Sequence, residues 1–258
     1  MAEKPKAGAV EKAKANVVAK VKANQLEKRS ILVGDRPVEF NVDVSRQDEP
    51  AYFVLGVRKS GSTMLNKAMT FVATRTGHHC VDWPERFFTS GFAVSDWVNL
   101  DFTSVLTNGN VYKGFRSSPR PVKNNAVFTE GLKVLLVRDP RDALVSQYFS
   151  DAFSHKLPKA DALNPEGRKQ FIEKRAAAQA ASIDDYVLAK AGGMNATLLE
   201  FGEYLNDKKL LLLKYEQVIF QKRWMINKIC NHFGWVFHPG KVDNLMKTLH
   251  VIPSAEDE

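Results

Sequence analysis

The chain has 258 residues, 44% of them hydrophobic, with a formal net charge of +8 and only two cysteines. That length suits one α/β core. No apolar run is long enough to predict a membrane span or a signal peptide, and Cys80 and Cys230 are too far apart in sequence to suggest a disulfide framework, so a reducing, cytoplasmic location is expected. No Cys/His cluster has zinc spacing, so no metal is expected, and no interleaved aromatic and basic strand points to nucleic acid.

Residues 1–29 hold eight Lys/Arg against three Glu and few large apolar groups. Such a segment cannot bury much surface and is expected to be a flexible basic arm, with residues 30–258 as a single domain. Beyond the arm the chain is only mildly basic, which is compatible with a polyanionic nucleotide ligand. Residues 30–50, with Gly34, Pro37 and Pro50, read as an extended lead-in.

Tyr52–Val57 is a short run of β-formers, as a buried strand requires. A polar, glycine-containing turn, Arg58–Ser62, follows. From Thr63 to Thr76 the apolar residues Met64, Leu65, Ala68, Met69, Phe71 and Val72 recur at helical spacing, and Gly77 can end that helix. Val111–Phe115 reads as another strand. Lys133–Val137 is a further buried strand, leading into Arg138-Asp139-Pro140-Arg141-Asp142 and a helix from about residue 142 to 155. Pro140 suits the helix start because its missing N–H would have no partner there. Residues 158–181 read as a polar, Ala-rich insertion or helix. Ile183–Leu205 reads as a helix interrupted at Gly192-Gly193. Leu210–Leu213 is a strand, Tyr215-Glu216 follows it, and an amphipathic helix runs from about Ile219 to Phe233. Alternating strands and helices predict an α/β fold, a mainly parallel sheet covered by helices on both faces.

Gly56-Val57-Arg58-Lys59-Ser60-Gly61-Ser62-Thr63 joins a strand to a helix, so its backbone N–H groups and the helix N-terminus can receive an anion. The spacing approaches the nucleotide-binding loop G-x-x-x-x-G-K-[ST], except that Ser62 stands where that loop needs lysine. The lysine is Lys59, inside the bend. A cation there can stabilise charge building on the oxygen that bridges a 5′-phosphate and a transferred group. A kinase or NTPase is the alternative enzyme class, and a non-catalytic nucleotide-binding protein the alternative outside enzymes.

Val57–Thr63 resembles the 5′-phosphosulfate loop of the sulfotransferases that use 3′-phosphoadenosine 5′-phosphosulfate (PAPS), P-K-S/T-G-S/T-T, with Arg58 in place of the proline. Val137–Tyr148 resembles the family's 3′-phosphate segment, R-[DN]-P-x-D-x-x-x-S-x-Y, and Leu211–Glu216 its strand ending in Y-E. The resemblance covers roughly residues 50–235 and is of the bacterial or carbohydrate/small-molecule type. It implies a P-loop-like three-layer α/β/α fold and transfer of a sulfuryl group from PAPS to an acceptor hydroxyl or amine. Adenosine 3′,5′-bisphosphate (PAP) is then the product, and no metal is required. The implied acceptor is a small molecule or a carbohydrate. Lys59 is implied as the catalytic cation. Arg58, Lys59, Ser60, Gly61, Ser62 and Thr63 would cradle the 5′-phosphate, and Arg138 and Ser146 would hold the 3′-phosphate. A guanidinium suits bidentate phosphate binding, and Ser146 follows Arg138 by about two helical turns.

Sulfuryl transfer also needs a base for the acceptor proton. Small-molecule members resemble one another in placing a histidine after the strand similar to Val111–Phe115; here that stretch has none. Carbohydrate members use a glutamate in a context resembling K-E-x-x-F-F, and Asp82-Trp83-Pro84-Glu85-Arg86-Phe87-Phe88 is similar. Glu85 is therefore the expected base, with Asp82, His78 and His79 behind it. Trp83, Phe87, Phe88, Phe92 and Trp97 are candidates to line an acceptor pocket, or to pack in the core. The family's basic closing segment, resembling R-K-G, has no counterpart around Lys241–His250 or in the acidic end that follows. Either the sequence is truncated before that segment, or the cofactor site is closed differently, in which case Lys123, Arg116 or Arg141 would replace its contacts.

Overall fold

The computed structural model describes residues 23–155 and 165–237, together with Leu245 and Leu249. The expectations for most of the basic arm, for residues 158–164 and for most of the stretch beyond Lys241 lie outside the described residues.

The first described elements are strands β1 (Leu26–Val33) and β2 (Arg36–Asp43), an antiparallel hairpin turning at Gly34. Composition alone places Leu26–Arg29 in the arm, but they pair with Phe40–Asp43. The reason lies in β2, where Val38, Phe40 and Val42 are buried at a period of two and fix the hairpin on the core.

The central sheet contains β3 (Tyr52–Gly56), β4 (His79–Asp82), β5 (Asn110–Phe115), β6 (Leu132–Val137) and β7 (Leu210–Lys214). Its order is β4-β5-β3-β6-β7, and every pairing is parallel. The helices are α1 (Ser62–Thr76), α2 (Trp83–Thr89), α3 (Val94–Trp97), α4 (Ala126–Glu130), α5 (Pro140–Phe149), α6 (Pro165–Ala180), α7 (Ile183–Gly202), α8 (Tyr215–Val218) and α9 (Lys222–Phe233).

Both faces of the sheet are covered, as the continuous apolar strands require. Val54, Val134 and Leu136 pack against Leu65, Met69 and Val72 of α1 and Met225, Ile226 and Ile229 of α9. On the other face, Phe53, Leu55 and Leu135 pack with Trp83 and Phe87 of α2, Leu144 of α5, Phe201 of α7 and the hairpin residues Phe40 and Val42. Phe53 stacks on Tyr112 at 5.2 Å and meets Phe128 edge-on at 4.7 Å. Removing so enclosed a ring costs about 3–5 kcal/mol.

Several boundaries depart from the periodicity. The helix expected to reach residue 155 ends at Phe149 and continues as a π turn, Ser150–Ser154. The expected break at Gly192-Gly193 is absent. The α7 helix runs through it, capped at Ser182 and anchored by buried Tyr186, Met194 and Phe201. The helix read from Ile219 starts at Lys222, and a separate short helix, Tyr215–Val218, precedes it across Ile219–Gln221. Strand β4, too short and polar to show a pattern, forms the sheet edge.

The sheet also buries a charge. Lys133 is 1% exposed, and its Nζ donates to Asp207 Oδ2 at 2.9 Å and to the Gly131 carbonyl at 2.9 Å. The strand order reverses around β3, with β5 and β4 to one side and β6 and β7 to the other. Loops leaving β3 and β6 therefore meet at the C-terminal edge, the place where open parallel sheets bind ligands.

Candidate active site

The loop after β3 is tightly wound. Ser60 donates both its N–H (3.1 Å) and its hydroxyl (2.6 Å) to the Val57 carbonyl. Ser60 therefore braces the bend, and its donors are not open to a phosphate as the resemblance implied. Lys59 has φ 65°, the sole positive value at a non-glycine position among the described residues. Backbone strain of this kind gathers at functional sites. Gly61 has φ 85°, and a Cβ there would stand 2.8 Å from the Tyr215 ring.

Helix α1 then starts without a side-chain cap and without an acidic residue in its first turn. The N–H groups of Ser62, Thr63 and Met64 have no acceptor within the helix. A long helix with bare N–H groups and a positive dipole end receives an anion well.

Arg138 leaves β6 beside this loop. Its Nη1 donates to the Lys59 carbonyl at 3.2 Å, and its guanidinium lies 4.4 Å from the centre of the Tyr215 ring. Its Nε is buried and unpartnered. The local Arg138–Asp142 salt bridge that would explain the residue structurally is not formed; Asp139 instead binds Arg141 at 2.6 Å and caps α5. A half-buried guanidinium with a buried, orphaned Nε is suited to an anion. Tyr215 and Glu216 gain a role from this geometry. Tyr215 underlies both Gly61 and Arg138, and Glu216 Oε1 accepts from the Asp139 N–H at 2.8 Å, fastening the second loop. Ser146 sits half-buried on α5, and its hydroxyl makes no hydrogen bond among the described residues.

Desolvation holds the Lys59 ammonium below the ordinary lysine pKa; Asp151 opposes this, and Arg116, Arg138 and Arg58 reinforce it. Asp151 lies on the π turn, fixed by the Tyr186 hydroxyl at 2.5 Å and Lys174 Nζ at 2.7 Å. Sequence reasoning missed this carboxylate because only the π turn after α5 brings it toward the loop.

A cleft of about 1610 Å³ opens beside the loop, lined at one end by Arg58 and Thr63. It follows the outer face of α1 past Lys67, Phe71 and Arg75, with Asp82, Glu85, Lys113, Arg116 and Lys190 around it. Asp82 and Lys113 are register partners and form an ion pair at 2.7 Å. Gly114, at φ 93°, makes this possible, since a Cβ there would lie 2.2 Å from Asp82 Oδ1. Asp82 also caps α2 by accepting from the Glu85 N–H at 3.1 Å.

The expected acceptor-side residues separate clearly. Glu85 lines the cleft, exposed and without an ion pair among the described residues, although it stands two residues before Phe87 where the K-E-x-x-F-F pattern has three. Asp82 lines it too, engaged with Lys113. His78 and His79 do not. His78 is buried, bonded to Glu49 at 2.8 Å and stacked on Trp235 at 4.4 Å, and His79 bonds the Asn41 carbonyl at 3.0 Å. Phe88, Phe92 and Trp97 reach the cleft, whereas Trp83 and Phe87 are core. Of the substitutes for the closing segment, Arg116 faces the cleft, Lys123 pairs with Glu203 at 3.5 Å, and Arg141 is spent on Asp139.

One histidine went unnoticed in the sequence. His155, just after the π turn, lines the cleft. Desolvation lowers its pKa, Asp151 opposes this, and Lys59, Lys174 and Arg116 lower it further. No motif marks it.

Residues 49–251 match the family model described as the sulfotransferase domain. No curated protein matches the chain. Among solved structures, mouse sulfotransferase SULT7A1 complexed with PAP aligns with TM-score 0.52 at 14% identity, over 80% of this chain and 66% of that one. The chain thus spans just under two thirds of that relative's length. Retinol dehydratase in complex with androsterone and inactive cofactor PAP aligns at 15% identity and TM-score 0.47, over 89% and 76% of the two chains. A sulfotransferase from Alicyclobacillus acidocaldarius aligns at 12% identity and TM-score 0.43, over 78% and 91%. The first of these likenesses is one of fold.

Proposed function

The chain belongs to the sulfotransferase family, and from that premise we propose that it transfers a sulfuryl group from PAPS to an acceptor hydroxyl or amine, releasing PAP. The observation that carries this reading is Arg138, a half-buried guanidinium with a buried, orphaned Nε, tied to the carbonyl of Lys59 beside an uncapped helix N-terminus. Two adjacent anion sites on separate loops suit a nucleotide phosphorylated at both its 3′ and 5′ ends. The bare N–H groups after Gly61 and the hydroxyls of Ser62 and Thr63 hold the 5′-phosphate. Arg138 and Ser146 hold the 3′-phosphate.

The acceptor oxygen attacks sulfur in line, and the bond from sulfur to the bridging oxygen breaks with its electron pair leaving on PAP. Lys59 neutralises the charge developing on that bridging oxygen. Glu85 takes the acceptor proton, since Asp82 is committed to Lys113 and to the α2 cap. His155 is a second candidate. It lines the same cleft, and its lowered pKa favours the neutral, proton-accepting ring. The cysteine usage and the described helices, none long and apolar enough to cross a membrane, support action in the cytoplasm.

PAP release from PAPS, followed across a panel of hydroxyl and amine acceptors, tests the reading. Release should depend on acceptor and fall by about 10²-fold or more in Lys59→Ala. Turnover of Mg·ATP with none of PAPS would sink it. Glu85→Gln and His155→Gln identify the base, because only loss of the base removes the acid limb of the pH–rate profile.

A further inference from the structure

The cleft is charged beyond what a PAPS molecule at the loop uses. Its lining carries Arg58, Lys67, Arg75, Lys113, Arg116 and Lys190 against the carboxylates of Asp82 and Glu85. Asp82 is neutralised by Lys113 at 2.7 Å. Arg58 and Arg116 act on Lys59 through space and so belong to the phosphosulfate end. Lys67, Arg75 and Lys190 remain, and none has an acidic partner within salt-bridge distance among the described residues. Arg75 instead lies over the Phe71 ring at 3.4 Å, and Lys190 lies 5.8 Å from the Tyr186 ring. Clustered cations without counter-charges raise the local concentration of anions and repel cationic ligands.

The cations are also spread out. Lys67 lies one turn beyond Thr63 on α1, and Arg75 two turns farther on the same face. Twelve residues of helix at about 1.5 Å each separate Thr63 from Arg75 by about 18 Å. Between and opposite these cations the lining is aromatic, with Phe71, Phe88 and Phe92 presenting rings. Arg36 adds a further cation at the rim, 4.4 Å over Phe92. Flat rings alternating with fixed positive charges over such a length suit a chain of several rings carrying acidic groups.

We propose that the cleft takes an extended, acidic oligosaccharide acceptor, with Lys67 and Arg75 binding anionic groups on units beyond the one that is sulfated. This rests on the sulfotransferase reading and narrows its acceptor to hydroxyl groups on a polyanionic chain. Lys67 and Arg75 determine specificity and stand outside the transfer chemistry.

The test is calorimetric titration of the full chain, saturated with PAP, with a short oligogalacturonate and with its neutral methyl ester. The acid should bind about tenfold tighter than the ester, equal to ~1.4 kcal/mol, and the difference should shrink as salt rises. The double variant Lys67→Ala/Arg75→Ala should lose the difference, while its midpoint shift with PAP stays that of the parent. Lys228→Ala, on α9 away from the cleft, should keep it and so reports on non-specific attraction to a basic protein. Acid and ester binding alike, neither binding, or an equal loss in Lys228→Ala would each overturn the proposal. The titrations are repeated without PAP. Absence of PAP binding alongside a retained acid preference would then count against the nucleotide reading and leave the cleft assignment standing.

Discussion

Replacing Arg138 by alanine probes the proposed phosphate site with little disturbance elsewhere. Among the described residues the guanidinium makes one hydrogen bond, to the Lys59 carbonyl at 3.2 Å, and one ring contact, with Tyr215, and leaves Nε buried and unsatisfied. Losing the first two while relieving the third should change stability by only about 1 kcal/mol. Toward an anion the same group offers two charge-assisted hydrogen bonds at about 1.5 kcal/mol each, together ~3 kcal/mol or roughly 150-fold in Kd. Thermal unfolding reads this directly. With PAP at about 100 times its Kd the parent gains ~2.7 kcal/mol. An unfolding entropy of about 2.1 cal/mol/K per residue over 258 residues gives ~0.5 kcal/mol/K, so the midpoint should rise by about 5 °C. At the same PAP concentration the variant gains only ~0.3 kcal/mol and should rise by less than about 1 °C. A variant that responds like the parent refutes the role given to Arg138. A parent that responds to Mg·ATP and not to PAP refutes the nucleotide.

Gly61→Ala should lower stability by about 1–3 kcal/mol, read from the urea midpoint, because it forces a Cβ to φ 85° and to 2.8 Å from Tyr215; an unchanged midpoint would show that the loop yields freely. In the proposed mechanism Lys59 must be charged to act, so activity present below its folded pKa is lost as pH rises through it. Asp151 raises that depressed pKa, and Asp151→Asn should therefore move the alkaline limb of kcat/KM to lower pH; a limb that stays or moves upward contradicts the coupling. Asp207→Ala strands the Lys133 ammonium, 1% exposed, and should cost about 2–3 kcal/mol near neutral pH, less than a fully enclosed pair because Asp207 is partly open to solvent. Desolvation already lowers the Lys133 pKa. The penalty should thus shrink at high pH, where the lysine sheds its proton, and a penalty that grows with pH would reverse the argument.

The strands that seat the site were legible because they are largely buried and carry unbroken apolar runs, as in Tyr52–Gly56 and Val134–Val137. The loop, Arg138, the Pro140 helix start and the Tyr215-Glu216 pair stood out because anion binding demands particular residues at fixed offsets along the chain. Elements set by partners were not legible. Strand β4 exists because Cys80 and Val81 pair with Val111 and Tyr112, far along the chain. Helix α7 continues across two glycines because packing at Tyr186, Met194 and Phe201 outweighs their low helix propensity.

The sequence by itself determined the fold class and picked out the segments proposed to bind phosphate, since both rest on local patterns of residues adjacent along the chain. Only the tertiary structure decided which polar residues reach the cleft. His78 and His79 face Glu49 and Asn41, whereas His155 and Asp151 face the lysine loop. Which of several similar polar residues meets a cleft depends on contacts between distant segments, and those contacts follow from how helices and sheet pack rather than from any spacing in the chain.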